Sequence, residues 1–220
     1  MISIAMTYKS AYTAFVFPII FVVLALLPTS ISIAFTDTLD CGGEKLCVGT
    51  KIADIMVGDN TSNSMIGLGG IDDMVGIGGD DNMSGNDLAD RMIGGEGDDT
   101  IAGGNGSDDI IGSTGNDEIS GGSGADEIIG GEGNDTIFGG EGGDTIMGGP
   151  TDDLIVGEMG TDIMNGQDGD DKIYHALLNS TTTDGSKDLV VCGDGQDEVW
   201  INSSVDRDQV SDDCEIIHRG

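Results

Sequence analysis

Between residues 49 and 174 one large apolar side chain returns at every ninth position. The series runs Met56, Met65, Met74, Met83, Met92, Ile101, Ile110, Ile119, Ile128, Ile137, Ile146, Ile155, Met164 and Ile173. Other columns hold the same phase. In the fourteen nine-residue blocks that start at Gly49, the first place is always Gly, the fourth is Gly in ten, and the sixth is Asp in thirteen, with Asn63 as the exception. No insertion or deletion interrupts them, and the clearest block is Gly94-Gly95-Glu96-Gly97-Asp98-Asp99-Thr100-Ile101-Ala102. Fixed-period self-similarity of this kind marks a repeat architecture, in which each unit buries its apolar face only against its neighbours. Glycines let the chain make left-handed turns and bring carbonyl groups inward. The last three residues of each block then form a short strand with one inward apolar side chain.

Charge sharpens this picture. The chain has 220 residues, with 41 Asp and Glu against 8 Lys and Arg, a formal net charge of −33, and 4% aromatic residues. Such a composition would normally argue for disorder, and a compact fold at that charge repels itself. A multivalent cation is the simplest counter-charge. Nucleic acid is excluded as a partner by sign. Solubility alone would not hold the acid at one phase relative to Gly and Ile.

The blocks spell G-G-x-G-x-D-x-U-x, where U is a large apolar residue. Over residues 49–174 the chain resembles the hemolysin-type calcium-binding proteins, also called the repeats-in-toxin or RTX family. The resemblance implies an all-β fold, a right-handed parallel β-roll (β-solenoid) with two nine-residue repeats per coil. It also implies several Ca2+ ions, each held between blocks two apart, so that Asp99 would pair with Asp117 and Asp108 with Asp126. Carbonyl and carboxylate oxygens suit this hard cation, which takes six to eight oxygen ligands. The expected metal ligands are Asp72, Asp81, Asp90, Asp99, Asp108, Asp117, Asp126, Asp135, Asp144, Asp153, Asp162 and Asp171. A core this thin leaves metal binding and folding as one event.

Turn quality should vary. Blocks starting at Gly94, Gly103, Gly121, Gly130 and Gly139 carry the full pattern. Ile52 and Thr61 replace the fourth Gly in the first two blocks, and Asn63 replaces Asp in the second, so weak or absent metal is expected there. Leu88, and Pro150 with Thr151, make two further turns doubtful.

The flanking segments set the boundaries. Residues 1–34 place Lys9 before an apolar run at 14–27 and end in Ser32-Ile33-Ala34, the order of a secretory signal. The alternative is an uncleaved anchor, although the run is short for a span of about 20 residues. Residues 35–48 form an N-terminal cap, 49–174 the β-roll, and 175–220 a final coil and cap. Cys41 and Cys47 precede the repeats and Cys192 and Cys214 follow them, which in an oxidising compartment reads as one local disulfide per end. After a loop at 175–182 the phase resumes, with Asp188, Val190, Asp197 and Val199 in their columns and Cys192 in place of a first Gly. Trp200 is expected to lie over the end of the apolar column as a lid. These features place the protein outside the cell or on its surface.

Reading the ninth place every eighteen residues gives an apolar ladder, Val75, Ile93, Ile111 and Ile129, which strand alternation turns outward. It either docks against a second copy, the caps or a cell-envelope layer, or curls into the flattened core edge.

No HExxH, GxSxG or Walker sequence is present, the only histidines are His175 and His218, and uniform blocks leave no loops to wall a cleft. The reading is therefore a calcium-binding structural or adhesive protein, with no enzyme activity and no small-molecule substrate. A calcium-gated accessory module is the alternative. An ice- or mineral-binding solenoid would need a Thr or Asn ladder, which Thr100, Glu118, Thr136 and Leu154 do not form. A small polysaccharide-active enzyme is more remote still.

Overall fold

A computed structural model of the chain describes residues 37–43, 46–176, 186–201 and 208–219. The expected signal segment, residues 1–34, lies outside the described residues, as does most of the expected loop at 175–182. Among the described residues there is no helix, and twenty strands alternate between two faces. Each face is a ten-stranded sheet whose neighbours are parallel and come from every second strand of the sequence. Asp73–Gly78, Arg91–Glu96 and Asp109–Thr114 lie on one face; Asn82–Asp87, Thr100–Asn105 and Glu118–Ser123 lie on the other. The register is eighteen residues, with Met74 opposite Met92 and Ile101 opposite Ile119. The chain is a parallel β-solenoid with two blocks per turn.

The strands are longer than the last three residues of each block. They run six residues across the block boundary, from the seventh place through the third place of the next block, as in Thr100–Asn105. The first glycine keeps the ladder intact, as when the Gly58 N–H donates to the Val75 carbonyl at 2.8 Å. Along each strand the eighth and first places are buried and the seventh is mostly exposed, so one large side chain per strand fills the interior. The Met and Ile series, with Val190 and Val199 continuing it, forms one core column.

Glycine is required at the first place by space. A Cβ on Gly94 would run into Oδ2 of Asp99 and the carbonyl oxygen of Gly112. At the second and fourth places conformation decides: Gly95 and Gly97 have φ of +126° and +124°, open to glycine at no steric cost. Leu88 and Thr151 occupy fourth places at φ 77° and 90°. Both doubtful turns therefore keep the shape of the others, at a strain of about 1–2 kcal/mol per residue.

The segments read as caps prolong the stack. Asp37–Asp40 pairs with residues 54–57, and Cys47–Val48 pairs with Met65 and Ile66. At the other end Gln209–Val210 and Ile216–Arg219 add a strand to each face. The ladders are continued to short terminal strands, a recognised way of limiting exposed edges. Disulfides Cys41–Cys47 and Cys192–Cys214 close both ends, and Cys192 does stand in a first-glycine column, since its neighbour Val191 pairs with Asn165.

Trp200 is not a lid. It is a ninth-place residue on the outer face, stacked between Tyr174 at 4.3 Å and His218 at 4.6 Å. Strand alternation turns it away from the core, and buried Ile201, with partly buried Ile217, packs against the column instead. Val75, Ile93, Ile111 and Ile129 are half-exposed, lie in direct register with one another, and stand outside the buried core cluster. They form an outward stripe and do not curl into the core edge.

Candidate metal centre

Each turn carries its sixth-place carboxylate to one edge between the sheets, and eighteen-residue stacking aligns these groups in two columns. Asp72, Asp90, Asp108, Asp126, Asp144 and Asp162 share one edge; Asp81, Asp99, Asp117, Asp135, Asp153 and Asp171 share the other. All twelve expected residues are therefore brought together in two sets, and each is 0–3% exposed. Asp99 is the stacking neighbour of Asp117, and Asp108 of Asp126.

One carboxylate oxygen does structural work. The N–H of Asp99 donates to Oδ1 of Asp117 at 2.8 Å, and that of Asp108 to Oδ1 of Asp126 at 2.8 Å. The same link runs along both columns. The other oxygen is different. Oδ2 is shut off from solvent and takes no hydrogen bond in Asp72, Asp81, Asp90, Asp99, Asp108, Asp117, Asp126, Asp135, Asp144, Asp153 and Asp171. An ionised carboxylate buried with an open lone pair is costly unless a cation meets it. Backbone oxygens crowd the same turns, because a Cβ on Gly97 would lie 2.6 Å from the Gly79 carbonyl oxygen. The donor set is all hard oxygen, which fits calcium.

Burial pushes these acids up. Asp153 reaches about 8, Asp90 and Asp99 about 7, and Asp117, Asp126, Asp135 and Asp171 about 6. Desolvation is the largest cause, opposed by the backbone N–H bond; like charge adds to it in most, as from Asp135, Asp171 and Asp152 upon Asp153.

The first two turns are built otherwise. Oδ2 of Asp54 accepts from the Thr50 N–H at 2.6 Å and hydroxyl at 3.0 Å, and Oδ1 of Asn63 accepts from the Asp59 N–H at 2.9 Å. Local donors there occupy Oδ2 of Asp54 and Oδ1 of Asn63, while Oδ1 of Asp54, at the start of its column, is buried without a hydrogen bond.

Three features were missed in the sequence. Asp208 and Glu215 extend the columns, accepting from the N–H groups of Asp188 at 3.1 Å and Asp197 at 2.9 Å. Their signal was the acid-x-apolar triplet in Asp208-Gln209-Val210 and Glu215-Ile216-Ile217. The third feature is an asymmetry. Fifth places on one edge carry Ser62 and then Asp80, Asp98, Asn116, Asn134, Asp152 and Asp170, whereas the other edge has Ala53, Ile71, Ala89, Ser107, Ala125, Gly143 and Thr161. The acidic row is itself bonded turn to turn: the Asn116 N–H donates to Asp98 Oδ1 at 2.7 Å, and that of Asp170 to Asp152 Oδ1 at 2.9 Å.

A parallel β-solenoid with two columns of buried carboxylates, most with an oxygen that lacks a hydrogen bond, defines a repeat protein suited to binding cations. The family model described as RTX calcium-binding nonapeptide repeat (4 copies) matches residues 75–110, 84–119, 103–137, 111–146 and 138–173. The chain carries RTX calcium-binding repeats across this region, and such repeats bind calcium in general. Among curated proteins the chain has no match.

The raised acids give the metal-free protein a pH dependence of definite sign. Their folded values, about 6 to 8, lie above the ordinary aspartate value of 3.8. The folded state therefore binds more protons, and its stability is fully present below about pH 4 and is lost as pH rises through about 6 to 8. In chelator, circular dichroism should show strand signal near pH 4 that fades by pH 8.5. A signal independent of pH would contradict the assignment.

Proposed function

We propose that this is a secreted or cell-surface calcium-binding structural protein whose β-roll folds as Ca2+ enters between successive turns. The observation that carries the reading is the pair of in-register columns of buried carboxylates, eleven of the twelve with an oxygen that takes no hydrogen bond. Asp72, Asp81, Asp90, Asp99, Asp108, Asp117, Asp126, Asp135, Asp144, Asp153, Asp162 and Asp171 supply the ligands, with backbone carbonyls of the glycine turns. The two turns closed by Thr50 and Asp59 hold no ion or a weak one. Both disulfides favour an oxidising compartment, and the signal-like residues 1–34 supply the route to it. The body is scaffold, with no catalytic role.

Calcium counting with site variants tests this reading. Asp117→Ala should reduce the bound calcium by one or two ions, measured by native mass spectrometry, whereas Asp54→Asn should leave the count unchanged. At calcium 100-fold above Kd, each lost ion should remove ~2.7 kcal/mol of stability. Equal counts in the two variants would defeat the ligand assignment.

The role of a partner-binding surface falls to the apolar stripe. The caps described here continue the sheets at their ends, so they do not cover it. A second copy of the chain is the occupant we favour, because the stripe is self-complementary in spacing. Ile111→Asp combined with Ile129→Asp should convert a dimer to a monomer in light scattering of the calcium form. A wild type that is already monomeric would remove the idea.

A further inference from the structure

His175 stands where the repeat would place a first glycine. Its carbonyl accepts from the Glu158 N–H at 2.9 Å, and Tyr174 before it pairs with Val156, which sets His175 opposite Gly157. In the turns that start with Gly, a side chain in this place would run into the sixth-place carboxylate; a Cβ on Gly157 would lie 2.6 Å from Oδ2 of Asp162. Here the acid comes thirteen residues later, at Asp188, rather than five, and the imidazole lies within reach of it.

The column thus ends in a cluster of different chemistry. One ligand atom each from His175, Asp188 and Asp208 lies within 4.8 Å of the others. Asp188 is 1% exposed, and its oxygen Oδ1 already accepts from the Asp162 N–H at 2.9 Å, which holds the carboxylate in place. Its N–H in turn donates to Oδ1 of Asp208 at 3.1 Å, so the two acids are fixed relative to each other. Independently of that convergence, Nδ1 of His175 is shut off from solvent and has no hydrogen-bond partner. An imidazole within reach of two carboxylates, its Nδ1 buried without a hydrogen bond, is arranged for a metal ion among them.

We propose that His175, Asp188 and Asp208 form one transition-metal site of the zinc class at the C-terminal end of this acid column. One nitrogen and two carboxylate oxygens are a three-ligand set that zinc accepts, leaving a fourth position for water. Imidazole suits zinc and its neighbours in the first transition row, whereas calcium takes oxygen ligands. Small side-chain shifts would close the cluster onto an ion with bonds of about 2.0–2.2 Å. The site lies where the repeat phase breaks, and it fastens the two following turns to the body. It is independent of the calcium reading, because its nitrogen ligand occurs in none of the Gly/Asp turns.

The test loads the full calcium-saturated protein with Zn2+, desalts it in excess calcium, and counts zinc by elemental analysis. One zinc per chain is expected in the wild type. His175→Ala and Asp208→Asn should each lose it, with unchanged calcium-induced circular dichroism, while His218→Ala should keep it. His218 is the control because it lies on the outer face, 3.5 Å from Glu198. Two variants guard against a local folding defect in either one. No zinc retained against calcium, or one zinc retained in both His175→Ala and Asp208→Asn, would overturn the proposal and leave the calcium assignment untouched.

Discussion

Like charge stacked on like charge, out of water, governs this molecule. Successive carboxylates in a column are one strand spacing apart, and two unit charges about 5 Å apart repel by about 3 kcal/mol at an effective dielectric of about 20. Each turn also buries one Met or Ile per strand, worth about 1.5–3 kcal/mol. Repulsion alone therefore consumes the apolar gain before desolvation of the acids is counted. A divalent ion reverses the sign of the interaction, since each carboxylate then neighbours a cation. The same constraint explains the glycines: the first place must be bare because the carboxylate lies against it, as Asp99 lies against Gly94.

The acidic fifth places compound the effect on one edge only. Asp152 and Asp98 raise the acids of their own column, Asp153 and Asp117 among them. The opposite edge has uncharged residues at the equivalent positions, most of them small. The two columns are thus unequal in charge although they share one repeat, and the edge with the extra acids has the greater need of counter-charge.

Much of this was legible in the sequence because a strict period fixes register. Fourteen blocks without an insertion fix the phase, so the core column and the shared place of the twelve aspartates followed from counting, whereas the eighteen-residue register came from the family resemblance. What did not follow was anything that depends on reading two turns at once. The strand runs through the first glycine because hydrogen bonds to the adjacent turn continue there, which a single block cannot reveal. Trp200 is no lid because it stands in the ninth place, which the phase turns outward onto Tyr174 and His218. The ends were hidden for a related reason: Asp208 and Glu215 keep the acid-x-apolar triplet but lose the glycines that announce a block. His175 is the converse case. The next acid of its column is thirteen residues on, at Asp188, and only the folded chain brings the two together.

Amide hydrogen exchange, resolved by peptide at pH 7.5, tests the dependence of fold on counter-charge most directly. In calcium, amides across the strands from Asp73–Gly78 to Ile163–Asp168 should exchange slowly and as one cooperative unit. In chelator they should exchange at the rate of an unfolded chain. Equal protection in the two conditions would mean that the acid columns are tolerated without a cation, and would contradict the account.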